Sequence, residues 1–346
     1  MADLIPDGIH FGLPDDVYHT DPALGSSDLK SIAMDPVDWQ FMRLHGEADE
    51  TDAMVMGRAL HARILEGREA FAAAFVPELE KPDGVLVTND DLAGWLDRHG
   101  IKVKATATKA VMIEAIQSSG VSQPKIWSVI QGEFKSNNAA RTELSAAQWE
   151  KIETAAQWMQ ADATLSASMT DGSFQHGAPE VSIFYTDNGV RLKARFDYWI
   201  AHAVIDLKSF ATMYKEEPAK AVLRAIMRQR YDLQCAAYVR AWHRGREMFK
   251  QGQVFGTAPD GFLHKAYSRP HPLWVWVFLK SVGAPQPFVR SLSHKEMVFD
   301  VARSTMERAI ETYRSKVAEF GDDKIWPPSN PPEALSTSDF PTWFGT

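Results

Sequence analysis

Apolar and polar side chains alternate in two neighbouring runs, Glu180-Val181-Ser182-Ile183-Phe184-Tyr185 and Val190-Arg191-Leu192-Lys193-Ala194-Arg195-Phe196-Asp197, with Asp187-Asn188-Gly189 between them. A period of two is strand patterning, and Asn-Gly between such runs signals a tight hairpin. The second run continues through Tyr198-Trp199-Ile200, and Val204-Ile205-Asp206-Leu207-Lys208-Ser209 follows after Ala201-His202-Ala203. A turn at 201–203 predicts a three-stranded antiparallel meander. Trp274-Val275-Trp276-Val277-Phe278-Leu279 has the composition of a buried strand.

Elsewhere the spacing is helical. From about Asp49 to Glu66, Ala53, Met54, Gly57, Leu60, His61, Ile64 and Leu65 recur every three or four residues, and Gly67 follows as a stop. Gly57 inside this helix disfavours it by up to about 1 kcal/mol against alanine, which suggests a close approach there. Before it, Ser26 or Ser27 can cap a short helix that ends at Asp35-Pro36. Two short amphipathic helices are expected at 89–96 and 108–116, and longer ones at 145–160, 218–249 and 298–320. We divide the chain at 1–80, a helical insertion at 81–145, a core at 146–320 and a Pro-rich tail at 321–346. Alternating strand and helix signals place it in the mixed α/β class.

The strand pair carries chemistry. Side chains two apart share a face, so Asp206 and Lys208 are presented together, while Ile205 and Leu207 face the other way. Antiparallel pairing would bring Asp197 beside Asp206, and Glu180 near Asp197. Clustered carboxylates repel unless a cation lies between them, and hard oxygen ligands select magnesium or manganese. Such an ion with a nearby lysine suits hydrolysis of phosphodiesters, where the lysine orients the attacking water or helps deprotonate it. On the helix expected over 218–249, Arg224 and Arg228 share one face, as do Gln234 and Tyr238. The two arginines are candidate phosphate contacts.

Composition narrows the setting. The 346 residues are 45% hydrophobic and 24% charged, an ordinary globular balance. No apolar run approaches a membrane span, and the N-terminus lacks a basic-then-apolar leader, so the expected location is the cytoplasm. A single cysteine, Cys235, excludes an internal disulfide, a Cys-based zinc site and a four-cysteine cluster. The net charge of −8 argues against a general nucleic-acid binder. Residues 208–246, however, hold nine Lys or Arg against three Asp or Glu. An acidic body with a basic working face is compatible with DNA.

The ordered set Gly57-x-x-x-His61, Glu180, Arg195-x-Asp197, Asp206-x-Lys208 and Gln234-x-x-x-Tyr238 resembles the PD-(D/E)xK nuclease superfamily, in the branch of RecB nuclease domains, lambda exonuclease and phage RecE. Tyr18-His19, Ser26-Ser27-x-Leu29, Asp35-Pro36 and Met56 to Glu66 look most like RecE-type proteins. The resemblance spans about 15–300, apart from the insertion, which itself looks like a SAP-type DNA-binding motif. It implies a restriction-endonuclease-like core. It further implies Mg2+, with Mn2+ able to substitute, held by His61, Asp197, Asp206 and the Leu207 carbonyl. Lys208 would act on the water, Gln234 would support the lysine and the DNA backbone, and Glu180 would match a less consistent acid. Ser26, Ser27 and Arg195 would hold a 5′ phosphate, and Tyr238 would contact DNA. The family's proline before the first acid is Phe196 here. The implied activity is 5′-to-3′ exonuclease action on linear duplex DNA in phage-type recombination, by a homo-oligomeric ring that supplies 3′ strands to a single-strand annealing recombinase. The alternatives are a RecB- or Cas4-like nuclease of other polarity, an endonuclease, and a non-catalytic module that binds DNA ends.

Overall fold

A computed structural model describes residues 4–46, 51–328, 336 and 339. The chain divides into two compact units, residues 1–51, 176–282 and 288–346 in the first and 52–175 and 283–287 in the second. The divisions expected at 80 and 145 fall inside the second unit. There Phe75–Pro77 pairs in parallel with Thr142–Leu144, which ties together the chain on either side of the insertion.

The first unit is built on a seven-stranded mixed sheet. Its strands are β1 Gly8–His10, β2 Gly177–Asp187, β3 Val190–Ile200, β4 Ala203–Phe210, β5 Val254–Phe255, β6 Leu273–Lys280 and β7 Pro287–Leu292. The order is β7-β6-β4-β3-β2-β1-β5. The meander β2-β3-β4 is antiparallel as expected, and β6 lies parallel to β4. Asn188 and Gly189 both have positive φ, 49° and 81°, the two left-handed residues that a primed hairpin turn needs. Covered by a strand on each side, β4 is buried from Ala203 to Leu207. That placement forces the carboxyl of Asp206 out of water.

Three helices pack together over the sheet, α1 Ser26–Met34, α4 Tyr231–Lys250 and α5 Met297–Phe320. α4 runs across β1, β2 and β3, and its buried side includes Cys235, Ala236, Ala237, Ala241 and Gly245, small enough for close approach. A Cβ on Gly245 would collide with the Tyr267 hydroxyl and stand 3.0 Å from Ile183 Cδ1. Cys235 is fully buried in the core.

The single helix expected over 218–249 is two, α3 Pro218–Arg228 and α4, broken at Gln229 and Arg230. Arg230 takes φ 49°, a left-handed conformation disfavoured for a residue with a Cβ, and its guanidinium is held by both Asp232 oxygens at 3.1 and 2.9 Å. Gly25, not a serine, is the N-cap of α1; its N–H donates to Asp28 Oδ2 at 2.8 Å.

In the second unit, α2 Asp52–His61 runs into a π-helical turn Ala62–Glu66 and ends at Gly67, φ 105°. Asp49 of the expected helix lies outside the described residues, as does most of the tail beyond 328. No heavy atom lies within 4 Å of a Cβ built on Gly57, so the close approach expected there is not found among the described residues. The insertion forms Asn89–Arg98 and Lys109–Gln117, capped by Thr88 and Thr108, around Leu92, Trp95, Leu96, Met112 and Ile116. A further helix, Trp127–Asn137, lies outside the expected set; Ser145 caps Ala146–Ala161, the helix expected over 145–160. Among the described residues no helix is long and apolar enough to cross a membrane.

Candidate functional site

The hairpin β3-β4 positions the acids. Its register pairs Tyr198 with Ile205, Trp199 with Val204 and Ile200 with Ala203. One more step along the same register sets Asp197 opposite Asp206. There the Asp197 carboxylate takes the place of a ladder partner, its Oδ2 accepting the Leu207 N–H at 2.8 Å. Both acids are buried, Asp206 completely.

Asp206 is the hub. Its Oδ1 accepts from Gln234 Nε2 at 2.7 Å, and its Oδ2 is ion-paired with Lys208 Nζ at 2.7 Å. Burial alone would lower the pKa of Lys208, but the charges of Asp206 and Asp197 outweigh it and raise the value above the usual lysine range. Lys208 is therefore an ammonium at neutral pH. The Tyr238 hydroxyl touches both Gln234 and Ser26, linking α4 to α1, and burial with the two acids pushes its pKa up.

Other expected site residues are otherwise engaged. The register sets Glu180 opposite Asp197, between Pro179↔Tyr198 and Val181↔Phe196. Its backbone, however, takes φ 50°, and its carboxylate stands 3.8 Å from Arg195 Nε. Arg195 is buried and bonded to Ser182 Oγ at 2.9 Å, Asp15 at 2.8 Å and the Leu13 carbonyl, with its guanidinium 4.4 Å from the Tyr18 ring centroid. Those contacts clamp residues 13–15 to β3; the 5′-phosphate role expected of Arg195 remains an expectation. Arg224 likewise donates to both oxygens of Glu216, at 2.9 and 2.7 Å, and to the Ala211 carbonyl. This hydrogen bonding holds the Glu216 carboxyl down at about 2. Arg224 thus secures the loop after β4. Arg228, at the end of α3, and Ser27, in the first turn of α1, are exposed, and Ser26 is half-buried. His61 ends its helix in the second unit.

Two residues at the site went unnoticed in the sequence. Lys30 of α1 and Tyr231, the first residue of α4, stand beside Lys208: the Tyr231 ring centroid is 5.4 Å from Lys208 Nζ and 5.6 Å from Lys30 Nζ. The available signal was the four-residue spacing of Ser26 and Lys30, which places them on one helix face.

Among the described residues no group of three or more His, Cys, Asp or Glu is placed to hold a metal ion. The first unit offers two carboxylates, Asp197 and Asp206. Magnesium commonly takes one or two carboxylates and completes its octahedron with water and phosphate oxygens, so this pair fits it. It falls short of a closed, all-protein cage.

No protein-family model matches the chain, and no curated protein does. Among solved structures it is similar to a crystal structure from Eubacterium rectale named as a candidate exonuclease, with 12% identity over 88% of each chain and a TM-score of 0.43.

Proposed function

We propose that this chain is a magnesium-dependent deoxyribonuclease that degrades linear duplex DNA from its 5′ ends and leaves 3′ single strands, with Mn2+ able to replace Mg2+. The observation that carries the reading is the buried cluster in which Asp206 is bonded at once to Lys208 and Gln234 beside Asp197. Polarity, the ring and the annealing partner rest on the family resemblance alone.

A divalent ion at the two carboxylates would supply Lewis acidity to phosphate and water. The chain's own residues do the rest. Asp197 and Asp206 are fixed by the Leu207 N–H and by Gln234, so their oxygens present a preorganised negative pair. Lys208, ion-paired with Asp206, stands where it can orient the attacking water or help deprotonate it and stabilise charge that develops on the phosphate. Water forms the new P–O bond as the bond to the 3′ oxygen breaks; the water's proton passes to solvent, directly or by way of Lys208, and solvent protonates the leaving oxygen.

The test is a linear duplex labelled at its 5′ or 3′ ends, incubated with Mg2+ or EDTA, with wild type and Lys208→Met. Release of 5′ label only, only with metal, and at least 100-fold slower in the variant supports the reading. Cutting of closed circular DNA would make it an endonuclease; release of 3′ label would reverse the polarity. Binding of ends without cleavage under any metal would leave an end-binding module.

A further inference from the structure

Two lysines reach the site, and they differ in what balances them. Lys208 is ion-paired with Asp206 at 2.7 Å. Lys30 has no ion-paired carboxylate among the described residues; its ammonium stands 5.6 Å from the centroid of Tyr231, whose other neighbour is Lys208 at 5.4 Å. It is half-buried, and burial followed by the charge of Lys208 lowers its pKa, with Asp206 and Asp232 opposing. An ammonium taken partly out of water pays a desolvation cost that a cation–π contact, worth about 0.5–2 kcal/mol, offsets only in part. Ser26, one helical turn earlier, reaches the same cluster through Tyr238. The side chains of α1 therefore bring a cation and a hydroxyl to the site and no ion-paired counter-charge for that cation.

We propose that Lys30 binds a backbone phosphate of the DNA strand next to the scissile one, making the α1 face a second phosphate subsite beside Lys208. The inference rests on the nuclease reading and deepens it: the substrate class is a strand with at least two successive phosphodiesters, held by two ammonium groups that flank one aromatic ring. A phosphodiester carries one negative charge per step along the strand, so two cations at one ring suit a polynucleotide better than a single phosphate ester.

The test measures binding apart from cleavage. Fluorescence anisotropy of a duplex labelled at its far end, in EDTA and from 50 to 200 mM salt, compares wild type, Lys30→Met, Lys30→Gln and Lys30→Arg, each with 5′-phosphate and 5′-hydroxyl ends. Loss of one phosphate contact should weaken binding about five- to tenfold and reduce the slope of log K against log salt by about one. Lys30→Arg should recover most of both, and under Mg2+ the uncharged variants should raise KM more than they lower kcat. Thermal melting identifies which uncharged variant retains the fold; Lys30→Met keeps the stem against Tyr231. Wild-type affinity and slope in a folded uncharged variant would overturn the inference while leaving the nuclease reading intact. A loss confined to 5′-phosphorylated duplex would overturn it too, by assigning Lys30 to the terminal phosphate. Wild type that neither binds nor cuts DNA would remove the nuclease reading itself.

Discussion

Replacing Lys208 by methionine keeps its stem and removes its charge, which isolates the ion pair at the centre of the site. The carboxylate left behind is completely buried, and the lost partner was 2.7 Å away with a side chain 18% exposed. Removing one partner of a buried pair typically costs about 3–5 kcal/mol, because the remaining charge is stranded. The partial exposure of Lys208 sets the expectation at the lower end, about 3 kcal/mol. Urea unfolding in EDTA, followed by tryptophan fluorescence from buried Trp199, Trp242, Trp274 and Trp276, measures it. The raised pKa fixes the sign of the pH dependence: the pair's contribution is full below the ordinary lysine range and is lost only as pH climbs above it. In an Asp206→Asn background the same substitution should cost much less, since no charge is stranded there. Added Mg2+ should stabilise Lys208→Met more than wild type, because the ion then has no ammonium to displace. Two results would refute the reasoning: a Lys208→Met protein within 0.5 kcal/mol of wild type in EDTA, or an equal cost in the Asp206→Asn background.

Gln234→Ala removes the donor to buried Asp206 Oδ1 and should lower stability by about 2 kcal/mol, read as a shifted urea midpoint at constant slope; an unchanged midpoint would mean the bond is replaced by water. Asp21, buried on the same unit, accepts from Arg191 Nε and Nη2 at 3.1 and 2.8 Å and from the N–H groups of Ile5 and Ala23. Burial raises its pKa, but these donors together bring it below the usual aspartate value, so its contribution is present above about pH 4 and lost as pH falls through the depressed value. Asp21→Asn should therefore cost about 3 kcal/mol at neutral pH, with a gap to wild type that narrows on acidification; a gap constant from pH 7 to 3 would show that the charge is not what matters.

The readable parts of the molecule are those in which local chemistry and tertiary position agree. The Asn188-Gly189 turn and the alternation on either side of it define β2 and β3, and the period of two along β4 puts Asp206 and Lys208 on one face. The strand β1, three residues long, and β5, two, are too short to show a period; β1 exists because β2, at the edge of the meander, offers it a partner, and β5 because β1 does the same in turn. The break between α3 and α4 falls at Gln229-Arg230, where neither glycine nor proline marks it; Arg230 is held in a left-handed conformation with the help of Asp232. Arg195 and Arg224 read as free cations because their partners, Asp15 and Glu216, enter from segments that composition cannot pair with them.

The same logic bears on how much positive charge the chain leaves for a polyanion. A count over 208–246 finds nine basic residues, yet six of them, Lys208, Lys220, Arg224, Arg230, Arg240 and Arg244, are ion-paired to carboxylates of the chain. Most of the apparent basic face is therefore internally neutralised. At the site, Asp197 and Asp206 carry two negative charges against the two positive charges of Lys208 and Lys30, and the cluster is balanced before any ligand arrives. A divalent ion entering at the carboxylates would tip it to a surplus of two, which a phosphodiester and a deprotonated water would together cancel. The local field at Asp206, and not the net charge of −8, is then what decides whether a strand can be held.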